Sequence, residues 1–424
     1  MERLLAMVVT LFVGIYVARY LGPQRFGILS YAISFVGIFS VIATLGLDQI
    51  AVREFINEPV KRESILGTLF WLKLSGAFVV LGLILFALLF TNNDALTELL
   101  IFIIAASLIF QSFNVIDFYF QSQVLSKYIV FAQVFQLVLS SIAKISLVLL
   151  NGDLLWFGIV ILCDGIIFSA GLLYFFHLRH KGIILRWKFD IIFAKRLLME
   201  SWPLALSGLA VTVYMKIDQI MIKEMLNTEA VGLYAAAVRL SEVWYFFPGI
   251  IMKSLFPAII SIKNTHDKVY RIRLQQLHDM LFSVALVIAL LVFFFSQHII
   301  VFLFGEQFLG ASSLLAVHIW AGILVFPGNV RAHLIIIENK QIVALIFRST
   351  GAILNIVLNY LLIPRFGAIG AAWATLASYI LPICIISFFD PLIRLTLMMT
   401  LKSYLLPLRV LNYKRPLYGA MPNV

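Results

Sequence analysis

Charged residues are scarce in this chain of 424 residues, where they account for only 12% of the sequence. Soluble globular proteins carry about 25% charged residues, so the composition excludes that class. Hydrophobic residues make up 62% of the chain, and the mean hydropathy is +1.02. These values predict an integral membrane protein.

Cysteines and catalytic motifs are also scarce or absent. The two cysteines, Cys163 and Cys384, both lie inside apolar runs, which excludes a disulfide framework and a cysteine-ligated metal site. The sequence has no phosphate-binding loop, HExxH, CxxC or nucleophile-elbow motif, so nothing in it indicates an enzyme or a cofactor. The net charge of +11 is typical of cytosolic loops in a membrane protein, and we expect no nucleic-acid partner.

Long apolar segments recur along the whole chain, and twelve of them approach the length of about 20 residues that a helix needs to cross a membrane. The first has no cleavage site after it, so we interpret it as a retained helix and not as a signal peptide. The predicted spans are residues 4–19, 26–47, 67–90, 99–119, 129–150, 155–177, 201–222, 231–257, 279–300, 310–336, 343–363 and 368–388.

Lysine and arginine are distributed unevenly between the loops on the two sides of the membrane. With the N-terminus inside, most loop cations fall on the inner side, and the outer loops hold only Arg19, Arg25, Lys223 and Arg365. Because positively charged loops stay in the cytosol, both termini are predicted to be cytosolic.

The longest inner connection, residues 178–200, divides the chain into two six-helix bundles, 1–177 and 201–388. Its basic and aromatic residues predict an interfacial segment lying on anionic lipid. The tail, 389–424, alternates leucines with single cations, which favours a cytosolic or interfacial segment over a thirteenth span. The expected fold class is an all-α polytopic membrane protein with about 12 transmembrane helices in two six-helix bundles.

A turn motif recurs in both halves of the chain. The stretch "ARYLGPQRFGILSYA", residues 18–32, is faintly repeated in "MLNTEAVGLYAAA", residues 225–237, with Gly27 matching Gly232. Both copies lie in the outer turn between the first two spans of a half, which favours halves related by an axis along the membrane normal, as in many transporters. The alternative is that turns containing glycine recur by chance.

Three stretches resemble signature regions of bacterial polysaccharide flippases, the Wzx-like O-antigen transporters of the superfamily that includes the multidrug and toxin extrusion carriers. They are residues 18–32, "KIDQIMIKEMLNTEAVGLYAAAVRLSEVWYFFP" at 216–248, and "GAILNIVLNYLLIPRFGAIGAAWATLAS" at 351–378. The resemblance covers essentially the whole chain. It departs in the outer turn after span seven, where the family often has a glycine and this chain has Lys223 or Asn227.

The resemblance implies two bundles around a central cavity that opens alternately to each side of the bacterial inner membrane. The expected substrate is an undecaprenyl-diphosphate-linked oligosaccharide used for O-antigen, capsule or exopolysaccharide synthesis. Membrane lipid, a polysaccharide polymerase and a chain-length regulator are the other partners implied. The resemblance further implies coupling to a proton or sodium gradient, without a bound cofactor.

Cations inside the predicted spans outnumber the acids there. A charge at mid-membrane costs about 2.5–3.5 kcal/mol, so each needs a partner or a function. A diphosphate in transit needs positive charge, which makes these cations candidates for lining the cavity. Snorkelling to the interface is the alternative for all except the two deepest, Lys144 and Arg239. The spans contain seven cations, and six of them are substrate-binding candidates: Lys144, Arg239, Lys216, Arg331, Arg348 and Lys73. The seventh is Lys253.

Three acidic residues inside the spans, Asp218, Glu242 and Asp164, are candidates for ion coupling. Through the resemblance, Asp218 matches an aspartate near the end of span seven, and it is the leading candidate for a proton- or sodium-linked carboxylate. Glu242 lies three residues after Arg239 on one helix and can pair with it. A structural salt bridge is the alternative role for each acid.

The predicted function is a secondary flippase, and two alternatives stay open. A membrane polysaccharide polymerase or glycosyltransferase needs catalytic groups in an exposed pocket, whereas the longest outer loop, 296–309, contains a single acid, Glu306. A multidrug exporter of the related carriers is expected to use acidic membrane residues for cationic drugs, whereas cations are in excess here.

Overall fold

The computed structural model describes residues 2–180, 187–263 and 267–405, which form α-helices joined by turns and short 3-10 helices, without a β-strand. The all-helical fold class predicted from the sequence is confirmed. The helices are α1 (Glu2–Thr44), α2 (Asp48–Asn57), α3 (Arg62–Leu88), α4 (Ala95–Phe110), α5 (Val115–Ser122), α6 (Ser126–Leu149), α7 (Leu154–His180), α8 (Ile191–Met225), α9 (Thr228–Glu242), α10 (Phe246–Ser261), α11 (Asp267–Phe304), α12 (Ala311–His318), α13 (Gly322–Ile337), α14 (Gln341–Phe366), α15 (Ala368–Ser387) and α16 (Pro391–Tyr404).

Eleven helical stretches of the described residues are long and apolar enough to cross a membrane, and the first contains two of the twelve predicted spans. This stretch, Leu5–Thr44, is interrupted at Gly22, whose φ of 71° and ψ of 169° are not helical. Gly14 and Phe26, on either side of the break, both lie against the side chain of Arg239. A straight helix would hold them about 18 Å apart, so the chain reverses direction at Gly22.

The two copies of the repeated turn lie against each other. A Cβ atom at Gly27 would overlap the carbonyl oxygen of Thr228, and one at Gly232 would overlap that of Pro23. Only glycine therefore lets the backbones of α1 and α9 approach this closely. The end of the molecule at which these turns lie is predicted to face outwards and is called the outer end below; the opposite end is the inner end.

Three predicted spans are interrupted by a 3-10 turn. Span four consists of α4 and α5 joined by Gln111–Asn114, span eight of α9 and α10 joined by Val243–Tyr245, and span ten of α12 and α13 joined by Ile319–Ala321. Spans four and ten hold the same position in the two sets of six, so this interruption is repeated as well. Breaks of this kind are tolerated in a membrane where neighbouring helices or a cavity satisfy the freed backbone groups.

Helix α8 packs on both the N-terminal half (α1–α7) and the remainder of the C-terminal half (α8–α16). Its first turns bury Ala194 and Leu197 in a cluster with Phe55 and Phe176 of the N-terminal half. Its later turns pack along α14 of the C-terminal half. The helix starts earlier than the predicted span, inside the predicted linker 178–200, of which residues 181–186 lie outside the described part of the chain.

Ion pairs add to the attachment of α8 at the inner end. The guanidinium of Arg196 in α8 donates a hydrogen bond to Glu54 in α2 at 2.5 Å. Arg53 of α2 pairs with Glu200 of α8. Exposed pairs contribute little each, but Glu54 is 5% exposed, so losing Arg196 would leave a buried carboxylate with one fewer donor.

The described part of the tail contains one further helix, α16, of 14 residues. At 1.5 Å per residue it is about 21 Å long, too short for a hydrocarbon layer of about 30 Å. Its buried face, which includes Ile393 and Met399, packs towards α11 and α15. The tail therefore adds no span before residue 406, and residues 406–424 lie outside the described part of the chain.

Candidate functional site

A cavity of about 480 Å³ lies between α1 of the N-terminal half and helices α8 and α9 of the C-terminal half. Both arms of α1 contribute to it, since Ala6 and Thr10 precede the break at Gly22 and Ser30 follows it. The charged side chains in its lining are Lys216, Arg239 and Glu242.

Contacts between the halves close this cavity towards the outer end. The hydroxyl of Ser34 in α1 donates a hydrogen bond to Oε1 of Gln219 in α8 at 2.9 Å. The hydroxyl of Tyr31 donates to Glu224 at 3.2 Å. The close approach of α1 and α9 at Gly27 adds to this seal. Transport through the cavity would therefore require these contacts to separate.

The charged side chains of the cavity have no polar partner among the described residues. The Arg239 guanidinium lies 5.5 Å from the ring centroid of Phe26. It also packs directly against Gly14, so closely that a Cβ atom on Gly14 would overlap the guanidinium. Neither Arg239, Lys216 nor Glu242 forms a hydrogen bond or an ion pair within 4 Å with the described part of the chain, so the predicted Arg239–Glu242 pair is not formed. Two cations and one acid therefore face a shared space.

Three other predicted substrate-binding cations lie elsewhere. Lys73 is 5% exposed and pairs with Asp48, with Nζ 2.7 Å from the carboxylate. Arg348 donates a hydrogen bond to the hydroxyl of Ser207 at 2.7 Å. The guanidinium of Arg331 lies 4.6 Å from the ring centroid of Phe347, within the C-terminal half. None of the three is part of the cavity lining.

The sixth cation, Lys144, pairs with the predicted coupling residue Asp164 inside the N-terminal half. Their nearest nitrogen and oxygen are 3.3 Å apart. The hydroxyl of Ser140 joins them, since it accepts a hydrogen bond from Lys144 at 2.7 Å and donates one to Asp164 at 3.0 Å. Neither charge lines the cavity, so the structure brings Lys216, Arg239 and Glu242 together there and places this pair between α6 and α7.

Asp218 is buried next to the cavity, at the junction of α8, α9, α14 and α15, and is 3% exposed. Its Oδ2 accepts hydrogen bonds from the hydroxyls of Tyr234 at 2.5 Å and Thr375 at 2.7 Å. Its Oδ1 accepts one from the Asn359 amide at 2.6 Å. No lysine, arginine or histidine of the described residues lies within 4 Å of this carboxylate.

The surroundings of Asp218 are rich in oxygen atoms. Oδ1 of Asn355 lies 3.1 Å from the Asn359 amide nitrogen, and the hydroxyl of Thr375 lies 3.0 Å from the carbonyl oxygen of Ala371. The buried Oδ1 of Asn359 and the buried amide nitrogen of Asn355 have no hydrogen-bond partner in the described part of the chain. Hard cations take oxygen ligands, and an isolated buried carboxylate is costly. Three neutral hydrogen-bond donors compensate the Asp218 carboxylate, and its oxygen-rich surroundings make it the candidate position for a neutralising proton or cation.

The sequence analysis missed four of these residues: Asn355, Asn359, Thr375 and Tyr234. A usable signal was present, because two amides four residues apart share one face of an otherwise apolar stretch of α14, residues 351–359. Polar residues in such a helix need partners inside the membrane. What the sequence does not show is that this face of α14 meets Asp218 of α8.

Comparisons with known proteins agree with the family resemblance seen in the sequence. Residues 2–263 match the model of the family described as "Polysaccharide biosynthesis protein". A relative named "Probable flippase AglR", from Haloferax volcanii, is 31% identical over 185 residues, which cover 39% of this chain. The match spans about a third of that relative, 35% of its length.

Two solved structures share the whole helical arrangement. The lipid II flippase MurJ in an inward closed conformation aligns with a TM-score of 0.73 and 16% identity, covering 98% of this chain and 92% of MurJ. An inward-facing multidrug resistance MATE family transporter of the MOP superfamily aligns with a TM-score of 0.68 and 14% identity, covering 97% and 96%. Identities this low establish the fold alone. Because the family model spans more than half of the chain, the predicted resemblance is confirmed at the level of the family, and the chain belongs to the polysaccharide biosynthesis protein family.

Proposed function

We propose that this multi-pass membrane protein is a flippase that moves an oligosaccharide linked to undecaprenyl diphosphate from the cytosolic to the periplasmic leaflet of a bacterial inner membrane. The observation that carries the proposal is the pair of cations, Lys216 and Arg239, that face the cavity between the halves and form no ion pair within 4 Å with the described part of the chain. The names of the relative AglR and of the structural neighbour MurJ support the same class of activity.

A diphosphate is the part of such a substrate that a membrane opposes most strongly. Arginine binds phosphate oxygens through two parallel hydrogen bonds, and lysine adds a compact charge. Arg239 is held in place by Phe26 and Gly14, so its guanidinium is ordered before the substrate arrives. Glu242 in the same lining offsets part of this positive charge, which favours binding without making release prohibitive.

The transport cycle follows from the seal at the outer end. Substrate binds from the inner end while Ser34 and Tyr31 hold α1 against α8. Separation of these contacts, with closure at the inner end, then exposes the same cations to the other side. This is the alternating access expected for two related halves around one site.

Ion coupling is proposed to operate through Asp218. A cation, or a proton, at this carboxylate would neutralise a buried charge at the junction of four helices. The next residue along α8, Gln219, lines the cavity and accepts the hydrogen bond from Ser34. A shift of α8 on cation binding would therefore act directly on the seal between the halves.

The test uses purified protein in liposomes with undecaprenyl-diphosphate oligosaccharide in one leaflet. Flipping is measured by the access of a lectin or a glycosidase to the sugar in the other leaflet. Arg239→Ala should slow it about tenfold or more, as expected for losing a charge-assisted contact of about 1.5–3 kcal/mol. Arg239→Lys should recover part of the rate. Lys253→Ala is the matched control, since Lys253 is an exposed span cation that does not line the cavity.

Two results would overturn the proposal. Lengthening of the glycan without movement would indicate the polymerase or glycosyltransferase alternative. Movement of cationic drugs, with no movement of the glycan, would indicate the multidrug exporter alternative. In cells, the proposed cytosolic termini can be checked by labelling single cysteines, and cross-linking can reveal a polymerase or chain-length regulator beside the protein.

A further inference from the structure

A second cavity, of about 450 Å³, lies at the inner end of the N-terminal half, away from the transport pathway. Four separate segments form it: the end of α2 with the 3-10 turn Pro59–Lys61, the start of α3, the end of α5, and the chain before α8. Its polar lining includes Lys61, Arg62, Ser64, Gln123 and Lys188. The function proposed above makes no use of this cavity.

The position of Lys188 is fixed by its backbone. Its N–H donates a hydrogen bond to the carbonyl oxygen of Glu63 at 3.2 Å. The chain lies so close to α3 that a Cβ on Gly67 would overlap the backbone of Lys188. The neighbouring Trp187 ring packs 5.4 Å from that of Phe70. The side chain of Lys188 therefore extends from a rigid segment into a formed site.

The cavity has the chemistry of a phosphate site. Three cations line it against one acid, Glu63, which lies 3.9 Å from the guanidinium of Arg62. Lys61 already pairs with Glu58 at 2.5 Å, whereas Lys188 has no acid within 4 Å among the described residues. The 27-residue helix α3 begins at Arg62 without a side-chain cap, so its partial positive charge adds to that of the cations.

The surroundings of the cavity point to a lipid as the source of the phosphate. Val60, in the lining itself, is 97% exposed, and Ile56, Ile191 and Ile192 nearby along the chain are 60%, 69% and 82% exposed. Exposed aliphatic side chains next to cations are typical of a membrane interface, where one part meets acyl chains and the other meets headgroups. A soluble phosphate compound would need no apolar rim.

We propose that this cavity binds the phosphate group of an anionic phospholipid from the inner leaflet, with Lys188 as its principal cation. The bound lipid would join the segment before α8 to α3. Because α8 also lines the transport cavity, the composition of the leaflet would then influence how firmly this helix is held. This lipid site does not depend on which substrate the transport cavity carries.

The experiment is native mass spectrometry of the full-length protein in detergent, titrated with phosphatidylglycerol or with phosphatidylcholine. The unmodified protein should bind phosphatidylglycerol more tightly. Lys188→Gln should weaken this binding about fivefold, the effect of one cation near an anionic headgroup. Lys195→Gln is the matched control, because Lys195 is exposed on the same inner segment but lies outside the cavity lining, and binding should stay unchanged.

A second variant tests the site without removing a charge. Gly67→Ala should displace the backbone of Lys188 and weaken phosphatidylglycerol binding in the same way. Equal effects of Lys188→Gln and Lys195→Gln, or no effect of Lys188→Gln, would overturn the proposal. So would displacement of phosphatidylglycerol by millimolar inorganic phosphate, since the site would then recognise a soluble anion.

Discussion

The two halves of the molecule hold an aspartate of the membrane-spanning helices in opposite ways. In the N-terminal half, Asp164 is paired with Lys144 at 3.3 Å and with the Ser140 hydroxyl. In the C-terminal half, Asp218 is surrounded by neutral donors, including Tyr234, and has no cation within 4 Å among the described residues. One carboxylate is neutralised permanently by the chain, and the other is not.

Under the proposed function, this difference separates a structural charge from an ion-coupling one. A fixed lysine leaves no reason for an external ion to bind, whereas neutral donors position a carboxylate without cancelling its charge. The excess of cations that the sequence shows is likewise divided. Lys144 is used within its own half, while Lys216 and Arg239 face the space between the halves.

The largest effect is expected from removing the charge of Asp218. Asp218→Asn keeps the size of the side chain but abolishes the negative charge, so flipping should lose its dependence on an imposed ion gradient. Coupling energies of about 1–3 kcal/mol correspond to a loss of about 5- to 150-fold in the stimulation of flipping by the gradient. Asp164→Asn should retain gradient dependence. The measurement is the rate of flipping in liposomes with and without the gradient. If the two variants behave alike, Asp218 and Asp164 do not differ in their contribution to coupling.

Breaking the pair in the N-terminal half should affect stability. Lys144→Ala leaves Asp164 without its counter-charge and should lower the free energy of unfolding by about 3 kcal/mol, the low end for buried pairs because both side chains are partly exposed. The double variant Lys144→Met with Asp164→Leu should recover most of this loss. Unfolding in detergent, followed by circular dichroism, measures both. A double variant as unstable as the single one would show that the charges do more than neutralise each other.

The turn glycines test a feature in which the halves are alike. Gly27→Ala and Gly232→Ala should each destabilise the closed outer end by about 1–3 kcal/mol, since either methyl group overlaps the opposite backbone. Labelling of a cysteine at Ser30 by an impermeant reagent from outside should increase similarly in both variants. Gly37→Ala is the control, because no atom lies within 4 Å of the added carbon. If labelling increases in only one of the two variants, the two glycines do not contribute equally to the contact between α1 and α9.

The smallest effect concerns the inner end of the C-terminal half. Partial burial raises the pKa of Asp390, but hydrogen bonds from Lys340 and from the N–H groups of Leu392 and Ile393 outweigh it, so the pKa lies below its ordinary value. The resulting stability is present above the unfolded pKa near 4 and is lost as the pH falls through the lower folded value. Hydrogen exchange of α16 should accelerate in that range. Asp390→Asn should remove this pH dependence. If hydrogen exchange of α16 in the variant still accelerates over the same pH range, Asp390 is not the group responsible.

The fold was largely predictable because membrane crossing imposes a simple length and polarity rule. The Gly-Pro corner at Gly22 was visible as a turn, and eleven long helical stretches account for the twelve predicted spans. The 3-10 interruptions, such as Ile319–Ala321, were not predicted, since apolar composition continues through them.

The candidate site was less predictable. Helical periodicity indicates which residues share one face, but it does not identify the helix that this face meets. Arg239 and Glu242 were correctly placed on one helix, yet they remain apart while Lys144 pairs with Asp164 on the next helix. Asn355 and Asn359 gain their role only through the packing of α14 on α8.

Helix α8 also sets a limit on how this protein could be divided into separately produced pieces. A fragment ending with α7 would lack Ala194 and Leu197, and the aromatic groove that receives them, around Phe55 and Phe176, would be left uncovered. A fragment beginning at α8 would carry those side chains with nothing to cover them. Each of the two polypeptides should therefore aggregate or be degraded when it is produced alone. The two should assemble when they are co-expressed, because the first turns of α8 in one fragment cover the aromatic cluster exposed in the other.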